Sequence, residues 1–171
     1  MFLIGIIVAI VIVVVYEFNL CVRLRHKCYQ SKSSIDVFLT QRFDLIPNLV
    51  ECVKGVVKYE NERLEKIAVL RKMYDTNKEF KYSEPLNKEF DRLLAVAEKY
   101  PEVKSQENFL NLQRQIVKME SQLQAARRNY NGDVTLYNTT IQSFPTNIFA
   151  EALGFKDLEL FEANEDVKKN N

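Results

Sequence analysis

Residues 109–141 read FLNLQRQIVKMESQLQAARRNYNGDVTLYNTTI, and they decide the fold. Apolar side chains recur at Phe109, Leu112, Ile116, Met119, Leu123, Ala126, Tyr130, Val134, Tyr137 and Ile141, with gaps that nearly all alternate between three and four. That is the period of one face of an α-helix, sustained over more than four heptads. Ser105 and Asn108 offer a start, and Phe144-Pro145 an end, because proline disfavours a helical residue before it. A stripe this long cannot stay wet. It predicts a helix packed along its whole length against other helices or against a second copy of itself.

Working toward the N-terminus, the chain supplies such neighbours. Outside the first twenty residues there are only three glycines and four prolines, so turns are few. Leu86, Phe90, Leu93, Leu94 and Ala97 mark a helix predicted to open at Ser83-Glu84-Pro85, with a first-turn proline, and to stop at Tyr100-Pro101. Leu45, Leu49, Val53, Val56, Leu64, Ile67, Leu70 and Tyr74 mark another that opens at Asp44, a capping residue, with Pro47 in its first turn, and runs to about Asn77. Leu24, Cys28, Ile35, Phe38 and Leu39 form a helical pattern continuous with the segment before it. A short helix is predicted over 147–155 with Gly154 as its stop.

The chain opens on MFLIGIIVAIVIVVVY, residues 1–16, with no charged side chain. As a helix, residues 1–20 span roughly 30 Å, one hydrocarbon thickness. A cleaved secretory leader needs a basic start and a small-residue cleavage site, and neither is present, so an uncleaved signal-anchor is expected. Arg23, Arg25 and Lys27 follow the span without counterparts before it, which places the remainder on the cytoplasmic side by the positive-inside rule. The organisation expected is a transmembrane helix over 1–20, an all-α antiparallel bundle of long helices over 21–158, and an acidic flexible tail over 159–171. The localisation is the cell membrane, single-pass.

Composition bounds the chemistry. A net charge of +1 gives no basic face of the kind nucleic acid requires, and no nucleic-acid partner is expected. His26 is the sole histidine, and Cys21, Cys28 and Cys52 lack metal-ligand spacing, so no metal site, cofactor or catalytic residue is assigned. Seven residues separate Cys21 from Cys28, placing both on one helix face as small core residues. Beside the apolar seam runs a polar stripe, Glu120, Gln124, Arg127, Asn131 and Asn138. Arg42 and Asp44, at the break between two helices, are its nearest charged candidates for pairing. The simplest use of such a stripe is to set helix register, since buried charge more often specifies an arrangement than catalyses a reaction.

Together these residues resemble the LemA family. The resemblance rests on Arg42-Phe43-Asp44-Leu45-Ile46-Pro47-Asn48-Leu49-Val50 with Val53-Lys54-Gly55, on Tyr100-Pro101, Asn108-Phe109 and Leu112-Gln113, and on Glu120, Ala126-Arg127, Tyr130-Asn131, Tyr137-Asn138 and Phe144-Pro145. Gly154-Phe155 and Phe161 match the family's ending. Phe18-Asn19 stands where Tyr-Asn is usual, and Thr40-Gln41 replaces basic residues. The resemblance implies a single-pass membrane protein with a helical domain and no established reaction. Read with the polar stripe, Arg42, Asp44, Pro47, Asn48, Glu120, Arg127, Asn131 and Asn138 are expected to form a structural polar motif. The resemblance also implies envelope maintenance, sometimes beside membrane zinc metalloproteases, and in one branch the building of magnetic organelle membranes. The function expected is a membrane-anchored, non-enzymatic interaction or scaffold module whose partners are the lipid bilayer, other membrane proteins or further copies of itself. The alternative is a regulator or adaptor of a membrane zinc metalloprotease.

Overall fold

The computed structural model describes residues 1–54, 61–77 and 80–161. Among these every regular element is helical: α1 (Phe2–Phe43), α2 (Ile46–Lys54), α3 (Asn61–Asn77), α4 (Phe80–Lys99), α5 (Pro101–Lys104) and α6 (Glu107–Gln142), then a 3-10 turn at Thr146–Ile148. Helix α1 contains the apolar segment and runs on from it without a break to Phe43, 42 residues in all. Its apolar window has a mean hydropathy of 2.6, and none of it is buried in the fold. A core helix of a soluble protein would be covered. This one is long and apolar enough to cross a membrane.

The chain forms two compact units, one of Met1–Ser34 with the described residues from Ala125 on, the other of Ile35–Gln124. In the first, α1 meets the later half of α6. Lys27 Nζ lies 2.9 Å from Asp133 Oδ1, and Thr146 Oγ1 donates to Glu17 Oε2 at 3.0 Å. Positions rising along α1 thus meet positions falling toward α6, an antiparallel arrangement. Cys21 and Cys28 are both buried, as their shared face requires.

In the second unit α4 packs against α2, α3 and α5. Leu49, Val53, Ile67, Tyr74, Leu86, Phe90, Leu93 and Ala97 are buried there. Leu70 is half-buried, while Val56 and the side chain of Leu64 lie outside the described residues. Phe43 meets Tyr74 edge-to-face at 5.2 Å, closing α1 onto α3. Glu89, buried on α4, accepts from Lys66 at 2.7 Å and from Arg92 at 3.2 Å, so its charge is matched on both sides.

Nine of the ten seam positions of α6 are buried and Met119 is half-buried. Two boundaries differ from the sequence expectation. Helix α4 begins at Phe80, so Pro85 sits inside it rather than in its first turn. Pro85 is exposed while Ser83, Leu86 and Asn87 beside it are buried, and packing of that face holds the turn despite the lost backbone donor. The helix expected over 147–155 is instead a 3-10 turn followed by further turns. Gly154 has φ of 78°, and the chain closes there with Gly154 N donating to Glu151 O and Phe155 N to Ala150 O, the paired bonds of a Schellman stop. The stop is present; the residues before it form turns, and Thr146 at their start is buried and donates to Glu17.

Leu123 is fully buried at the centre of the seam. Leu123→Ala is expected to destabilise the protein by about 2 to 5 kcal/mol, read from the denaturant midpoint in detergent micelles.

Candidate interaction site

The polar stripe divides between the two units. In the Ile35–Gln124 unit, Arg42 on α1 is 8% exposed, and its guanidinium reaches Asp91 at 2.6 Å and Glu120 at 2.9 Å while lying 4.8 Å over the Phe90 ring. Helix α6 supplies Glu120 and α4 supplies both Asp91 and Phe90. One guanidinium gives a separate nitrogen to each of two carboxylates and lays its plane over an aromatic face, a use to which arginine's fixed fork of donors is suited. Gln124 donates to Glu120 at 3.4 Å. Desolvation, aided by the like charge of Glu120, raises the Asp91 carboxyl above its ordinary value even though Arg42 opposes it.

Asp44 goes elsewhere, to an ion pair with Arg71 on α3. Pro47 is exposed in the first turn of α2. Asn48 is exposed too, and it lines an open groove with Glu51, Cys52, Gln106, Asn108 and Asn111. Of the motif read from sequence, Arg42 and Glu120 are brought into contact, whereas Asp44 pairs with Arg71 and Pro47 and Asn48 are exposed.

The remaining members act on the C-terminal segment of the first unit. Residues 155–161 are extended and lie along α6. Asn138 donates through Nδ2 to Leu158 O at 2.8 Å and accepts through Oδ1 from Leu158 N at 3.0 Å. Asn131 repeats this with Phe161, at 3.0 Å and 2.8 Å. Tyr137 donates to Lys156 O at 3.2 Å, and Tyr130 to Glu159 O at 2.9 Å. Gln142 reaches both carboxylate oxygens of Asp157 at 3.0 Å. Arg127 lies 4.6 Å over the Phe161 ring.

The spacing of this ladder has a geometric cause. Tyr130-Asn131 and Tyr137-Asn138 are seven residues apart, about 10.5 Å along a helix. Glu159 and Phe161 lie three residues beyond Lys156 and Leu158, about 10 Å along an extended chain. Two helical turns therefore match three extended residues, and the same Tyr-Asn pair can grip the strap twice, in antiparallel sense. Each asparagine satisfies both backbone groups of one residue, as a neighbouring β-strand would. Glu159 and Phe161 fall in the stretch expected as a free tail; their backbone is held on α6, and residues 162–171 lie outside the described residues.

Tyr130 and Tyr137 were legible only as core. Burial raises both phenols above their usual value, with nearby Cys28 and Glu159 adding to the effect at Tyr130, and with Arg25 opposing it at Tyr137. They stay protonated, which donation to a carbonyl requires. The repeated Tyr-Asn dipeptide was the available signal. Among the described residues no three His, Cys, Asp or Glu side chains gather as a metal site. What the arrangement does chemically is recognise main chain and pair charge.

Asn138→Ala removes the acceptor of the Leu158 amide and leaves about two hydrogen bonds unmade. Amide exchange at Leu158 is expected to accelerate by 10- to 100-fold, about 1 to 3 kcal/mol, with Asn138→Asp between the two. The phenols give a pH dependence. With folded values raised, the native state holds more protons than the unfolded chain above pH 10, so their contribution is intact below pH 10 and is lost as pH climbs through the folded values. Replacing Tyr130 and Tyr137 together by Phe is expected to flatten the alkaline fall of the melting temperature.

The LemA family model matches residues 31–171. Protein LemA of Metamycoplasma hominis is 26% identical over 152 residues, covering 86% of this chain and 69% of that protein. Magnetosome protein MamQ 2 of Paramagnetospirillum magneticum is 35% identical over 71 residues, 42% of this chain and 26% of its own length. Magnetosome protein MamQ of Magnetospirillum gryphiswaldense is 33% identical over 70 residues, 41% and 26% of the two lengths. The aligned part of the chain thus spans about a quarter of these magnetosome relatives. With the family model covering both the Arg42 cluster and the Tyr-Asn ladder, the chain belongs to the LemA family.

Proposed function

We propose that this chain is a non-enzymatic scaffold tethered in the cell membrane, with its helical part on the cytoplasmic side, holding membrane proteins or further copies of itself in place. The observation that carries this reading is α1. Its apolar window is wholly uncovered, yet the same helix continues, without a break, to Phe43 and buries Cys21, Cys28, Ile35 and Leu39 on the way. An anchor joined to packed helices by continuous helix transmits position, which is what a scaffold needs.

The polar residues support the same reading. Arg42 is engaged by carboxylates and an aromatic ring, and Asn131 and Asn138 by backbone. Their geometry holds the fold in shape. The cytoplasmic placement is supported by Arg23, Arg25 and Lys27, which resist translocation. The adaptor role for a membrane zinc metalloprotease has the family resemblance alone behind it.

Fractionation and labelling of full-length protein in cells test the proposal. The protein is expected to resist alkaline extraction from membranes. Cys52, half-buried where Cys21 and Cys28 are buried, is expected to react with an impermeant maleimide in inverted vesicles and not in intact cells. Crosslinking in the membrane is expected to capture a partner or a second copy. Release by alkali removes the anchor; reaction of Cys52 in intact cells reverses the orientation; monomers alone remove the scaffold.

A further inference from the structure

The turn that follows α6 carries an apolar surface the fold leaves bare. Phe144 is 80% exposed, Ile148 72% and Leu153 45%. Single exposed apolar residues are ordinary, but three within ten residues call for a cause. The inward side of the same turn is well packed, with Thr146, Ala150 and Phe155 all buried. Its outward residues are therefore not loose ends of an ill-formed segment.

Position within the first unit supplies the cause. Thr146 donates to Glu17, Phe155 meets Phe18 edge-to-face at 5.6 Å, and the Arg25 guanidinium lies 5.2 Å over the Phe155 ring. These contacts pin the turn beside residues 17–25 of α1, where the apolar window gives way to Arg23 and Arg25. Glu17 is three residues short of Leu20, about 4.5 Å along the helix. If α1 spans the bilayer, that level is the boundary between acyl chains and headgroups. An apolar tip there, with cations just beyond it, has the chemistry of an interfacial lipid contact.

We propose that the turn over residues 144–153 is a second membrane contact, dipping Phe144, Ile148 and Leu153 into the lipid interface beside the transmembrane helix. Its partner is the bilayer surface. Two points of attachment, one spanning and one interfacial, fix the tilt and rotation of the α1 and α6 pair in a way that one span does not. This inference rests on the reading of α1 as a span, and the test separates the two.

The chain contains no tryptophan, so single replacements give unambiguous fluorescent reporters. Full-length Phe144→Trp, Ile148→Trp, Val11→Trp and Asn129→Trp are reconstituted into vesicles of phosphatidylcholine with a minor share of phosphatidylglycerol, brominated either near the headgroup or deep in the acyl chains. All four sites are exposed, so the replacements leave the packing intact. Asn129 lies on α6 about 20 Å before Gln142 and reports water. Phe144→Trp and Ile148→Trp are expected to shift to the blue and to be quenched several-fold more than Asn129→Trp by the shallow bromolipid, with Val11→Trp quenched by the deep one. If Val11→Trp is quenched while both turn reporters match Asn129→Trp, the turn faces water or a protein and the proposal falls alone. If Val11→Trp also escapes quenching, the span and the proposal fall together.

Discussion

Helix α6 is 36 residues long, about 54 Å, and carries one apolar stripe along it, every part of which must find cover. The rest of the described structure follows from how this is met. In the Ile35–Gln124 unit the cover is helical, and Phe109, Leu112, Ile116 and Leu123 are buried. In the other unit α1 supplies the small side chains of Cys21 and Cys28, while the extended strap lies over Tyr130 and Tyr137. Small residues on α1 suit a close antiparallel pair. Tyrosine on α6 suits a neighbour that presents carbonyls, because its ring fills the seam and its hydroxyl donates at the edge.

The borders of the stripe show two solutions to one problem. A charged or amide side chain beside an apolar seam loses water and must be paired. At Arg42 the solution is charge against charge, with Phe90 beneath. At Asn131 and Asn138 it is amide against backbone. The first kind is specific in residue type on both sides. The second is specific on one side only, since any residue but proline presents the same N–H and C=O. Residues 156–161 are thus free to vary in side chain as far as the asparagines are concerned, while the Tyr-Asn pairs are held to a seven-residue repeat by helix pitch.

Continuity of α1 joins a segment apolar enough to cross a membrane to residues that pack on α6. A single helix from Phe2 to Phe43 has no hinge of glycine or proline after Gly5, so what packs on residues 17–34 is held in register with the apolar leading segment. The glutamate at position 17, unusual so near an apolar run, is used by Thr146, and this contact brings the turn after α6 to the end of the apolar segment. A pairing made for local satisfaction thereby sets where an exposed apolar turn is presented.

Periodicity determined the faces that α4 and α6 bury, and the uncharged opening run the uncovered leading segment, because these depend on the order of side chains along one helix and on the cost of wetting apolar surface; the expected helix from Asp44 to about Asn77 is seen as α2 and α3, and its stretch over 55–60 lies outside the described residues. The same reading nominated Arg42 beside Glu120. It placed the start of α4 too late, since a proline rule is local and the packing of Ser83, Leu86 and Asn87 outweighs it. It sent Asp44 to the stripe rather than to Arg71, and it left 159–161 in a free tail. Those outcomes belonged to tertiary structure. A polar border gives a direction and not a partner, and a strap held through its main chain carries no mark of that in its own residues.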